Sequence, residues 1–117
     1  MPGIRPGFVE SARAAGSDWA VPPPPPQFFG IAAPTDVSWA QERLTPMPLR
    51  THDEPLPAGP PDSLLGTYIR CDQFVGFDAQ MEPALRRGYA VEHLDAGHDV
   101  QVTDAPALKG LLTALDT

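Results

Sequence analysis

The chain has 117 residues, 42% of them hydrophobic, with 8 lysines and arginines against 15 aspartates and glutamates, for a net charge of −7. One small domain is the expectation from length, and the acidic balance argues against a nucleic-acid partner, which demands clustered Lys and Arg. No basic amphipathic face and no apolar run near the roughly 18 residues of a membrane span are present, so no membrane partner is expected.

Cys71 is the only cysteine, which excludes an internal disulfide and a multi-cysteine zinc site and suits a reducing cytoplasm. The opening "MPGIRPGFVE" lacks the apolar core of a secretory signal. Fourteen of the sixteen prolines fall in residues 1–61. That imbalance divides the chain into a proline-rich, lid-like segment, 1–62, and a more regular part, 63–117.

In chain order, "GFVESARAAG" (7–16) predicts a short helix stopped by Gly16. "VPPPPPQFFG" (21–30) is extended, because five prolines fix φ and remove five backbone donors. "TDVSWAQERLT" (35–45) predicts a second helix capped by Thr35 or Asp36, with Val37, Ala40 and Leu44 on one face and Trp39 beside it. Residues 46–62 form a proline-rich connector.

"GTYIRC" (66–71) is a β-branched and aromatic run that predicts a strand. "DAQMEPALRRG" (78–88) is helical, either starting near Glu82 with Pro83 at its first position or kinked there. "YAVEHLD" (89–95) is a second strand. "TDAPALKGLLTALD" (103–116) is a closing helix, with Thr103 as its cap and Leu108, Leu111, Leu112 and Leu115 as its apolar stripe.

Strand, helix, strand, helix defines an α/β fold with parallel strands and a right-handed crossover. Two parallel strands make a poor sheet, so a further partner chain or a second copy is expected to complete it. Function in such sheets gathers at the carboxyl ends of the strands. His98 lies just past one strand and Asp72 just past the other, and adjacent strands run about 5 Å apart. A carboxylate on one imidazole nitrogen frees the other as a general base, so Asp72 and His98 are the candidate catalytic residues.

"TYIRC", a helix, and then "GYAVEHLDAGHDVQVTDAPALKGLLTAL" resemble the C-terminal end of an α/β-hydrolase. The likeness is to the small esterase branch that includes plant methylesterases and hydroxynitrile lyases. The resemblance implies a partial α/β-hydrolase fold with 1–62 as cap, and His98 as the last member of a Ser–acid–His triad. It implies acyl transfer on a small ester-like substrate, with no cofactor and no metal.

Two departures stand out. None of Ser11, Ser17, Ser38 and Ser63 lies in the G-x-S-x-G turn that such a nucleophile occupies. The resemblance therefore puts the nucleophile, the oxyanion hole and about half the sheet before residue 1. The chain is then a fragment, a truncated product or one half of a split assembly, inactive alone. The family's acid position, three residues after the strand's cysteine, is Phe74; Asp72 is the nearest substitute, with Asp78 further off.

Trp19, Phe28, Phe29 and Trp39 are the cap's apolar contacts or the lining of a substrate pocket. Cys71 ends a buried-looking strand, where thiols pack inertly. His52 and His93 are structural or solvated, and three scattered histidines make no metal site. The proline run is alternatively a ligand for an SH3-like groove. The non-catalytic alternative is a binding or assembly module built on the open sheet edge and the proline- and aromatic-rich segment.

Overall fold

The computed structural model describes residues 5–115. The chain mixes helices with two small sheets, one antiparallel and one parallel. Helix α1 (Arg5–Ala14) begins two residues before the expected 7–16. Gly16 ends it with φ +78°: its N–H donates to Arg13 O and that of Ser17 to Ala12 O, the two bonds of a left-handed helix stop. Ser17 Oγ then accepts from the N–H of Trp19 and of Ala20.

Strands β1 (Ala20–Val21) and β2 (Met47–Pro48) pair antiparallel. The connector is thus not wholly irregular. Between them the prolines run extended into a 3-10 turn, Pro26–Phe29, which Gly30 ends at φ +92°. Helix α2 (Pro34–Gln41) starts one residue early, and Thr35 and Asp36 do not cap it. Pro34 at the first helical position is pre-set for helical φ and gives up an N–H that has no partner there anyway. Both residues therefore fall inside the first turn.

Strands β3 (Thr67–Cys71) and β4 (Ala90–Leu94) pair in parallel, as the pattern predicts, and the register sets Arg70 beside His93 and Cys71 beside Leu94. Helix α3 (Met81–Arg86) links them after a 3-10 turn at Asp78–Gln80. Pro83 is its third residue, among the first N–H groups that a helix leaves unpaired, so it neither opens nor kinks the helix.

The closing segment is broken: α4 (Val100–Thr103) and α5 (Ala105–Leu115) meet at Asp104. Thr103 is not the cap. Asp104 leaves the helical region and its Oδ1 accepts from the N–H of Ala107 at 3.2 Å. Asp104→Ala is expected to lower stability by about 1 kcal/mol, read from the urea midpoint.

Among the described residues the buried apolar side chains are Ala12, Val21, Pro26, Ile31, Ala40, Ala84, Ala96 and Val100, nearly all small. No residue of β3, β4 or α5 is buried, although α5 carries the leucine stripe. The solvent-accessible surface is 8527 Å², whereas a compact chain of this mass exposes about 6,200 Å². The radius of gyration is 16.4 Å, against about 13 Å for a compact chain of this length.

Candidate functional site

β4 ends at Leu94 and the chain turns over Asp95–Gly97 to present His98. The turn is tied to the neighbouring loop: Asp72 N–H donates to Leu94 O at 2.8 Å and Gln73 N–H to Ala96 O at 3.1 Å. Gly97 lies against the end of the proline segment. A Cβ on it would stand 3.0 Å from Phe29 O and 3.2 Å from Gly30 Cα. The Asp99 N–H also donates to Phe29 O. The proline-rich segment therefore docks on the histidine turn with a close main-chain approach, which requires glycine on both sides.

Docking places Phe29 5.1 Å from the His98 ring, centre to centre; Phe74 stands at 5.2 Å and Phe77 at 4.9 Å. Phe28 packs edge-on against Phe29 at 5.0 Å but is 63% exposed. Among the described residues, the imidazole makes ring contacts and no side-chain hydrogen bond. It lines an open cleft of about 290 Å³ together with Tyr68, Ile69, Arg70, Cys71, Phe74, Phe77, Asp78 and Gln80. No serine lines it.

The expected Asp72–His98 contact is not formed. Asp72 Oδ1 bonds His93 Nδ1 at 2.8 Å and also accepts from Arg70. Strand geometry gives the reason. Side chains two residues apart share a face, so Arg70 and Asp72 point the same way, and cross-strand pairing puts His93 beside Arg70. His98 comes round beyond the strand end. The signal for this cluster was in the sequence as Arg70-x-Asp72 on a strand, with His93 at the matching position of the next.

Arg70 also grips Asp78 with two bonds of 2.9 Å. The bond to His93 and then that to Arg70 hold the Asp72 carboxyl below its ordinary pKa, and Arg70 does the same for Asp78. The Arg70 guanidinium is raised in turn, by Asp78 and then Asp72. Carboxylates depressed by folding add stability that is present above their unfolded pKa, about 3.9. That stability is lost as pH falls through the lower folded values. Arg70→Met is therefore expected to move the acid-unfolding midpoint to higher pH, followed by circular dichroism.

Burial, with Asp72 beside it, pushes the Cys71 thiol up, away from thiolate. Trp19, 60% exposed, and Trp39 make no ring contact with His98. Arg43 lies over the Trp39 ring at 4.6 Å, on a separate shallow depression of α2. His52 lies tilted against Phe8, ring centres 4.5 Å apart. Among the described residues no cluster of His, Cys, Asp and Glu is placed to hold a metal, and no helix is long and apolar enough to cross a membrane.

Comparison with protein-family models, with curated proteins and with solved structures gives no match.

Proposed function

We propose that this chain is the histidine-bearing, C-terminal portion of an α/β-hydrolase-type esterase, acting in a reducing, cytoplasmic setting. Residues 1–62 are its cap and 63–117 its closing strand–helix–strand–helix. The observation that carries the reading is the Gly97–His98 turn at the carboxyl end of a parallel pair, its imidazole lining an apolar cleft. That is where open parallel sheets place their chemistry. The serine and the oxyanion hole are supplied by the remaining part of the same sheet.

In the completed site His98 takes the serine proton as the serine attacks the ester carbonyl, and returns it to the departing alcohol. Water then releases the acid with His98 again as base. Asp72 is engaged by His93 and Arg70, so three phenyl rings, rather than a carboxylate, hold the imidazole. No cofactor or metal enters the scheme. Phe29, which packs on the His98 ring, and Phe28 beside it are assigned the contact with an apolar acyl group. The test mixes the purified chain with the nucleophile-bearing half of such an esterase and follows p-nitrophenyl butyrate. Hydrolysis is expected from the mixture only; a mixture no more active than its parts overturns the reading.

The non-catalytic assembly reading is favoured by a different observation. The whole of β3, β4 and α5 lacks a buried residue, which suits a surface made to be covered.

A further inference from the structure

The cleft beside His98 touches four consecutive residues of β3, from Tyr68 to Cys71. Consecutive residues point to opposite faces of a strand. A cleft that touches all four therefore runs along the strand's edge rather than over either face. The hydrogen bonds at the two ends of the ladder show which backbone groups lie there. Asp72 N–H donates to Leu94 O, and Gly66 O accepts from the N–H of Ala90. Even-numbered residues of β3 thus turn their N–H and C=O toward β4. Thr67, Ile69 and Cys71 turn theirs to the open side. Among the described residues only one of those six groups is engaged: Cys71 O accepts from Phe74 N–H at 3.0 Å.

We propose that this edge pairs with the same edge of a second copy of the chain, antiparallel about a two-fold axis through Ile69. The inference goes beyond the esterase reading and does not rest on it. In this register Ile69 exchanges both its backbone bonds with Ile69 of the second copy, and Thr67 pairs with Cys71. The two parallel pairs become one four-stranded sheet. Beyond Cys71 the chain turns, Phe74 N–H bonding Cys71 O, so the paired stretch is Thr67–Cys71, with Leu64 and Leu65 flanking it. Leu64 and Leu65, which lead into β3, are 59% and 96% exposed. The patch is complementary to itself, as a two-fold interface requires.

Area supports a second copy as occupant. The chain exposes 8527 Å², which exceeds the compact expectation by about 2,300 Å². A standard interface removes about 800 Å² per partner and an obligate homodimer more. Charge adds a sign that can be tested. Two chains of −7 repel, so salt, which screens repulsion, strengthens this dimer where it would weaken one held by ion pairs.

The experiment is light scattering of the full chain over a concentration and salt series. The expected result is a dimer of twice the 12.5 kDa chain mass that tightens with salt. Ile69→Pro removes a donor that faces away from β4, so the β3–β4 ladder keeps its bonds. It is expected to weaken dimerisation at least roughly tenfold with unchanged far-ultraviolet circular dichroism. Leu64→Glu, outside the strand, does the same without touching the ladder. Amide exchange at Thr67 and Ile69 slows in the dimer and is fast on dilution. A monomer throughout the series overturns the proposal, as does a dimer indifferent to both substitutions. So does edge protection that arises only when a nucleophile-bearing sheet is added, since that sheet would claim the same edge. Ester hydrolysis is read on the mixture and dimerisation on the chain alone, so the failure of each idea is distinguishable, although the two compete for one edge.

Discussion

Replacing His98 with alanine is expected to lower ester hydrolysis by the completed site about 10²–10⁴-fold, the range for loss of a positioned general base. His93→Ala is expected to leave that rate within a small factor. The contrast matters because His93 carries the feature usually taken as the mark of a catalytic histidine, a carboxylate on Nδ1 at 2.8 Å. His98 carries none. Position decides between them. His93 stands on a strand, half exposed, tied into the Arg70–Asp72–Asp78 ion pairs. His98 stands beyond the strand end, at the cleft, between Phe29, Phe74 and Phe77. The measurement is p-nitrophenyl butyrate turnover by the reconstituted pair. Equal losses from the two substitutions would return Asp72 to the catalytic account and bring His93 into it. No loss from His98→Ala would remove His98 from it.

The contrast also shows what was legible in the residues alone. β3 and β4 are short, β-branched or aromatic runs bounded by polar turns, and local pattern suffices to find them and their parallel order. The Gly97–His98 turn was legible for the same reason. The partner of Asp72 was not. Reading Asp72 and His98 as loop neighbours treats the strand as over at Cys71, whereas Asp72 N–H still bonds Leu94 and keeps the alternation running one residue further. That single residue settles which face its carboxylate takes. The cap of the last helix failed for a related reason. Thr103 and Asp104 are both good capping residues, and only the extended backbone at Asp104 separates α4 from α5. Composition groups Trp19 and Trp39 with Phe28 and Phe29. Distance along the chain could not show that only the 3-10 turn at Pro26–Phe29 is carried to His98, because what carries it is a backbone contact between two glycines.

That contact is between main-chain atoms, and Gly97→Ala tests it. Gly97 does not need left-handed φ; the positive-φ glycines are Gly16, Gly30 and Gly88. Alanine would thus cost nothing through the backbone's own conformation. Its Cβ would instead press on Phe29 O at 3.0 Å and Gly30 Cα at 3.2 Å, both main-chain atoms that no rotamer change can move. Relief requires lifting the Phe29–Gly30 turn off the 96–98 loop. That movement strains the Asp99 N–H bond to Phe29 O and draws Phe29 away from the imidazole. Crowding of this kind costs about 1–3 kcal/mol, a large share of the roughly 5–15 kcal/mol that holds a domain. The matching control is Gly110→Ala. Gly110 lies inside α5 with no neighbour within 4 Å of the added carbon, so alanine there is expected to stabilise by about 0.5–1 kcal/mol through helix propensity. Thermal unfolding of the two variants should move the midpoint in opposite directions, and the His98 ring proton shifts should change only in Gly97→Ala. A Gly97→Ala protein as stable as the parent, with unchanged His98 resonances, would show that the proline-rich segment does not rest on the histidine turn in solution.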